Sequence, residues 1–397
     1  MRKFLRATTI FILVMNLLVC VPKITAQETT EGTGIPMENG QTAVSAPLTV
    51  KSKYFTGTVT EILEQREIDA ERGLYTQRIQ VKRADSGETV EVTAGSEFQP
   101  LNKTQLLVKG RQVVLSEQQI TMTQRQTVLA DVYRLPTVFW LSLLFAAIVV
   151  IVGRMRGLSA LTGMAVSVMI LVKFIVPQIL AGANPLLVSL LGSLVIGGIT
   201  LYIAHGWKVK SHIALTSMIT ALLIVAALSY ISVQTAQLFG LGSEEAYYLQ
   251  FGSTAKINLQ GLLLGGIILG ALGVLDDITV SQVSVIFQLR AAKKDITLRE
   301  LYSRGLEVGK DHVASLVNTL VLAYAGANLP LFILFLINEQ TPQWVTLNSE
   351  IIVEEIIRTL TGSIGLVLAV PIATILAAYV SLRTPIQKID DFHGHAH

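Results

Sequence analysis

Two adjacent carboxylates, Asp276 and Asp277, stand between an apolar run ending at Leu275 and a mixed run, Ile278 to Phe287. A charge inside hydrocarbon costs about 2.5–3.5 kcal/mol on insertion scales. Two in a row are tolerable only beside water, a cation or a hydrogen-bond donor. Gly266, Gly270 and Gly273 recur at i, i+4 and i+7, which is one stripe of a helix. Asp277, Ser281, Ser284 and Gln288 continue that stripe if the helix runs on, with Asp276 and Gln282 beside it. One reading is an ion- or proton-binding site lining a cavity. The other is a helix end whose carboxylates sit among lipid headgroups. The Gly261/Gly265 and Gly266/Gly270 pairs have the spacing that lets helices approach closely in lipid.

A second polar group follows. Asp311, Ser315 and Asn318 share a face at i, i+4 and i+7, and His312 lies next to it. A histidine titrates near neutrality, so His312 beside Asp311 suits a proton relay, or equally a helix entry at the membrane surface. Further on, Tyr324 and Asn328 are four apart, and Pro330 lacks an amide donor and clashes with the carbonyl of Gly326. A kink or break is predicted there, and broken helices at membrane depth often line substrate sites. Lys173, deep in another apolar run, either snorkels outward or pairs with a buried carboxylate. The alternating His393, His395 and His397 read as incidental on a tail, and no metal site or cofactor is expected. No phosphate-binding loop, zinc-protease motif or nucleophile elbow is present.

The elements that must position these residues are membrane helices. The chain is 51% hydrophobic and 15% charged, against about 25% charged in soluble domains. Residues 1–26 have the charged, apolar and small-residue regions of an export signal or signal anchor, and residues 27–48 read as a flexible tether. Within residues 49–134, alternation predicts five or so strands, near Tyr54–Leu63, Tyr75–Lys82, Thr89–Thr93, Leu106–Lys109 and Gln112–Leu115, and Gln126–Tyr133 leads into the membrane. Ala84-Asp85-Ser86-Gly87 has hairpin-turn chemistry. The expected fold there is a small all-β, OB-like barrel, without the stacking aromatics that nucleic acid would require.

From Leu135 to residue 382 about seven spanning helices are predicted, each needing about 20 apolar residues. They are Leu135–Val152, Leu158–Ala181, Pro185–His205, His212–Ser232, Leu259–Leu275, Val313–Ile337 and Thr359–Val380. A short amphipathic helix is predicted from the capping-box spacing at Thr297 to Glu300. If the β domain is outside, the inward segments carry twelve cations: Arg154, Arg156, Lys208, Lys210, Arg290, Lys293, Lys294, Arg299, Arg304, Lys310, Arg383 and Lys388. The outward loops carry two, Lys256 and Arg358. Positive charge gathers on the cytoplasmic side, so the β domain is expected outside and the tail, residues 383–397, inside. The single cysteine, Cys20, excludes a disulfide within the chain.

Three strings resemble the YibE/F family of bacterial membrane proteins: Gly270 to Gln282, Gly309 to Ala327, and Gly242-Ser243-Glu244-Glu245-Ala246. The likeness covers roughly residues 50–385. It implies a multi-span membrane protein and supplies no substrate and no catalytic residue. Two functions compete. In the first, the protein is a permease or channel for an ion or small solute. Its site would draw on Asp276, Asp277, Ser281, Gln282, Asp311, His312, Ser315 and Asn318, with Asn328 and Lys173 as further candidates and Gly266, Gly270 and Gly273 packing beside it. In the second, it is a scaffold whose β domain recruits envelope proteins. The expected partners are the bilayer and, in the second reading, envelope proteins; nucleic acid is not one. The oligomeric state is left open.

Overall fold

A computed structural model describes residues 53–96, 98–119, 125–252, 257–337 and 341–384. The export segment, the tether, Lys256 and the tail beyond Thr384 lie outside the described residues. The chain falls into two compact units divided between Ile148 and Val149.

The first unit is an antiparallel half-barrel. Its strands are β1 (Lys53–Asp69), β2 (Leu74–Arg83), β3 (Thr89–Ala94), β4 (Leu101–Asn102), β5 (Gln112–Gln119) and β6 (Arg125–Val132). The order is β3-β2-β1-β5-β6, with β4 pairing on β2. Alternation places Val59, Ile79, Val81, Val92, Val113 and Leu115 on one buried face. The predicted turn closes β2 to β3: Arg83 N–H donates to Glu88 O at 2.9 Å, and Gly87 takes φ +71°. The strand expected at Leu106–Lys109 is instead a loop ending at Gly110. Gln77, 1% exposed, captures it by accepting from Leu107 N–H at 2.7 Å and donating to Leu107 O at 3.3 Å. These two bonds satisfy a backbone segment that has no strand partner. Expressed alone, residues 49–134 are expected to give a β-type circular dichroism spectrum and a cooperative melt. Gln77→Leu should lower its unfolding free energy by about 1–3 kcal/mol, because Leu107 keeps a buried, unpaired amide. A random-coil spectrum for the parent segment would end the autonomous-domain reading.

The helices are α1 (Leu135–Ile170), a π-helical turn (Leu171–Ile175), α2 (Val176–Leu180), α3 (Pro185–His205), α4 (Val209–Thr235), α5 (Glu244–Gly252), α6 (Leu259–Ala292), α7 (Leu298–Ala327), α8 (Leu329–Ile337), α9 (Gln343–Leu347) and α10 (Glu350–Arg383). Among the described residues, five helical stretches are long and apolar enough to cross a membrane, or six if the bent pair α7/α8 counts as one. The first two expected spans lie within the stretch Leu135–Leu180 and are two helices that meet at Arg154, inside the predicted loop, where the backbone leaves helical geometry (φ 49°, ψ −127°). Just past this reversal Gly157 abuts the carbonyl of Val149, and a side chain at 157 would have no room.

The core of the helical unit is built from α3, α4, α6 and α10. Gly261 and Gly265 of α6 meet Pro185 and Ser189 of α3; Gly197 of α3 meets Leu272 and Met218; Gly365 of α10 meets Val225 of α4. Small residues let backbones approach where no water drives association. Several expected boundaries move. The helix α6 does not stop at Leu275 but runs to Ala292, and α10 begins nine residues before Thr359. The expected short amphipathic helix is the first part of α7, capped by Thr297, whose side chain accepts from Glu300 N–H. Its Leu301 is fully buried, so that stretch packs into the bundle. The break expected near Pro330 is present: α7 ends at Ala327 and α8 departs at 72°.

Candidate functional site

Because α6 continues past the paired carboxylates, Asp276 and Asp277 occupy the middle of a 34-residue helix. The buried side of α6 carries Leu275, Ile278 and Thr279, so Asp277 points away from the core and Asp276 lies at its margin. Asp276 Oδ1 is enclosed without a hydrogen-bond partner among the described residues. A cavity of about 680 Å³ opens onto both carboxylates. Ser284 and Gln288 extend its α6 wall, and Arg156, His205, Lys208 and Lys210 form its basic side.

The turn between α3 and α4, which carries Lys208 and leads into Lys210 at the start of α4, is held in shape locally. Gly206 takes φ +74°, Trp207 stacks on Tyr202 at 4.1 Å between centroids, and the Tyr202 hydroxyl lies 2.7 Å from His212 Nδ1. The cavity can therefore offer carboxylates and bases to one solute, or hold a proton or cation against Asp276 and Asp277 with bases nearby.

The other candidates are distributed. Ser281 is exposed on the stripe of Asp277. Gln282 is 2% exposed and faces elsewhere, donating to Gly305 O and to Thr374 Oγ1, each at 2.7 Å, so it ties α6 to α7 and α10. The stripe glycines lie on the open side of α6. Gly266 has Arg358 Nη1 at 3.5 Å from an added Cβ, Gly270 has Tyr324 Oη at 3.2 Å, and Gly273 has nothing within 4 Å. Gly261 and Gly265 make the close approach to α3, and Gly266 and Gly270 face side chains of α10 and α7. Asp311, His312, Ser315 and Asn318 are exposed on α7 and are not joined to Asp277. Gly305, Gly309 and Tyr324 of α7 meet α6, and Asp311, Ser315 and Asn318 lie on another side of the helix. Lys173 is exposed at the centre of the π-helical turn.

Asn328 caps α7, donating Nδ2 to Tyr324 O at 3.1 Å. It lines a second cavity, of about 700 Å³, with Glu354, Glu355 and Arg358 of α10 and Ser243 of the loop before α5. Here the sequence reading missed a cluster. Glu350 Oε1 accepts the backbone N–H groups of Phe239, Gly240 and Leu241 at 2.6, 2.8 and 3.2 Å, and Glu354 Oε1 accepts Gly242 N–H at 3.1 Å. Glu354 is only 7% exposed. The signal was available: Glu350, Glu354 and Arg358 stand at i, i+4 and i+8. Starting the last span at Thr359 cut them off. Among the described residues, no group of three His, Cys, Asp or Glu side chains could hold a metal ion.

A family model described as YibE/F-like protein matches residues 141–383. No curated protein matches the chain, and no solved structure does.

Proposed function

The chain belongs to the YibE/F-like family, and on that premise we propose that it is a permease or channel for an ion or small solute. Its family and its long apolar helices fit an integral membrane protein. The observation that carries the proposal is the cavity at Asp276 and Asp277. Ionisable residues within spanning segments are costly and usually face a cavity or a partner, and these two face a space large enough for a small solute. Helix register supports their depth. With about 1.5 Å per residue, the 21 residues of α3 span about 31 Å, close to the roughly 30 Å of a hydrocarbon core. The contacts of Gly261 with Pro185 and of Gly197 with Leu272 set residues 261–281 of α6 beside it. Asp277 then sits about one turn inside the end marked by His205, which the excess of basic residues assigns to the cytoplasm. The β domain lies outside in this orientation.

The test is aqueous access. In a Cys20→Ser background, Ser284→Cys is expected to react with a membrane-impermeant thiol reagent applied from the cytoplasmic side. Leu223→Cys, on an outward apolar face of α4, is the lipid-facing control. Equal, negligible labelling of both would remove the cavity as a solute site. Labelling only from the other side would reverse the orientation.

The scaffold reading keeps one specific support. Among the described residues β3 and β6 are edges of the half-barrel, each bonded on one side only. The two edges face each other across a cleft lined by Val90, Val92, Gln126 and Val128, and a strand from another protein would have to enter there.

A further inference from the structure

The helices of this bundle present two kinds of outer surface. On α3 the exposed face carries Leu187, Leu191 and Val195; on α4, Leu223 and Ile231; on α10, Leu360 and Ile364. These are surfaces suited to lipid. The outer face of α7 is different. It presents Asp311, Ala314, Ser315, Asn318 and Leu322, all exposed. Neither Asp311 nor Asn318 has a side-chain partner among the described residues.

Depth makes this face unsuited to hydrocarbon. Gly305 meets Ile286 and Gly309 meets Gln282, so α7 runs antiparallel to α6. That register sets Asp311 level with about residue 280 of α6, Ser315 with about 276 and Asn318 with about 273. The membrane level assigned to α6 above puts Asp311 at the edge of the hydrocarbon, Ser315 about one turn inside it and Asn318 about two. Small residues with a few hydrogen-bonding ones are what helix–helix contacts in membranes are made of.

We propose that this face of α7 is the contact between two copies of the chain, packed about a two-fold axis along the membrane normal. A second copy is the occupant favoured by chemistry, because the polar group of the face that lies deepest, Asn318, can pair with itself. Asp311 sits at the solvated edge of the membrane, with Lys310 and His312 each about 100° round the helix from it. The Asn318 amide both donates and accepts, so two of them meeting near the axis satisfy one another. A two-fold contact of this kind is isologous, one surface used twice. The apolar export segment, Thr8 to Val21, offers a poorer match for a carboxylate and an amide. The proposal uses the membrane depth argued above but does not require the protein to transport anything.

The experiment is oxidative cross-linking of the full chain in native membranes, in a Cys20→Ser background. Asn318→Cys is expected to give a disulfide-linked species of twice the chain's mass. Leu223→Cys, on the lipid-suited face of α4, should stay monomeric. Cross-linking through Leu322→Cys reports the same interface without touching its polar groups, and adding Ser315→Leu with Asn318→Leu should lower its yield by about fivefold or more. Three results would overturn the proposal. One is a monomeric Asn318→Cys chain under oxidation at parental membrane abundance. Another is equal cross-linking through Leu223→Cys, which would mean random collision. The third is a product whose mass requires a different protein. Loss of complementation by Asp277→Asn bears on the solute site and leaves this test untouched.

Discussion

Asp277→Asn is expected to insert and fold as the parent does and to fail in complementation. The change keeps side-chain size and most hydrogen-bonding capacity while removing the charge. Asp277 is exposed to the cavity and holds no element in place, so stability should change by less than about 0.5 kcal/mol. If it ligates a cation or carries a proton, the loss is that of a charge-assisted contact, about 1.5–3 kcal/mol, or roughly 10- to 150-fold in apparent affinity. Asp295→Asn, exposed in the turn between α6 and α7, is the control for charge near the same end of α6. Both variants behaving as the parent, at matched membrane abundance, would leave the carboxylate pair without a functional role.

Gly309→Val should have the largest structural effect. A Cβ built at 309 lies 2.5 Å from Val370 Cγ1 and 3.1 Å from both amide atoms of Gln282. That amide cannot retreat freely, because it holds Gly305 O and Thr374 Oγ1. The valine must therefore push α7 away from α6 and α10, or strip a buried amide of its partners. Overpacking costs about 1–3 kcal/mol and a stranded buried amide about as much again. The expected loss is about 3 kcal/mol or more in detergent-titrated unfolding, with a matching fall in membrane abundance. Gly273→Val, on the open stripe of α6 with nothing within 4 Å, should be near-neutral in the same assay. Equal loss at both glycines would mean that contact with α6 and α10 does not set the cost, since valine has the better helix propensity at both sites.

These contrasts show what the sequence carries and what it withholds. Apolar length finds membrane helices well: α3 has the expected bounds, and α4 exceeds its predicted span by three residues at each end. It misplaces ends wherever polar residues remain helical. Asp276 and Asp277 resembled a helix stop to a hydropathy reading, yet the Ser281, Ser284 and Gln288 spacing already announced that α6 goes on. The start of α10 was lost for the same reason, because Glu350, Glu354 and Arg358 are helical but not apolar. Periodicity also cannot tell which neighbour a glycine stripe meets. Gly261/Gly265 and Gly266/Gly270 have identical spacing, yet the first pair meets the N-terminal end of α3 at Pro185 and Ser189 and the second meets the side chains of Arg358 and Tyr324. Gln282 shows the same limit from the polar side, since a residue one step from the Asp277 stripe turns out to knot three helices together. The break at Arg154 is legible, because Gly153-Arg154-Met155-Arg156-Gly157 interrupts the apolar run between the first two expected spans.

The three amides gathered by Glu350 have a mechanical meaning as well. One carboxylate oxygen lashes residues 239–241 to the head of α10, and the next acid, Glu354, adds the amide of Gly242. Loop and helix head are thereby a single stiff piece, even though more than a hundred residues separate them along the chain. At that end of the bundle α8 turns away from α7 by 72° beside Asn328 and supplies Pro330 and Leu331 to the same cavity, so one wall is a braced loop and helix head and another is a bent helix.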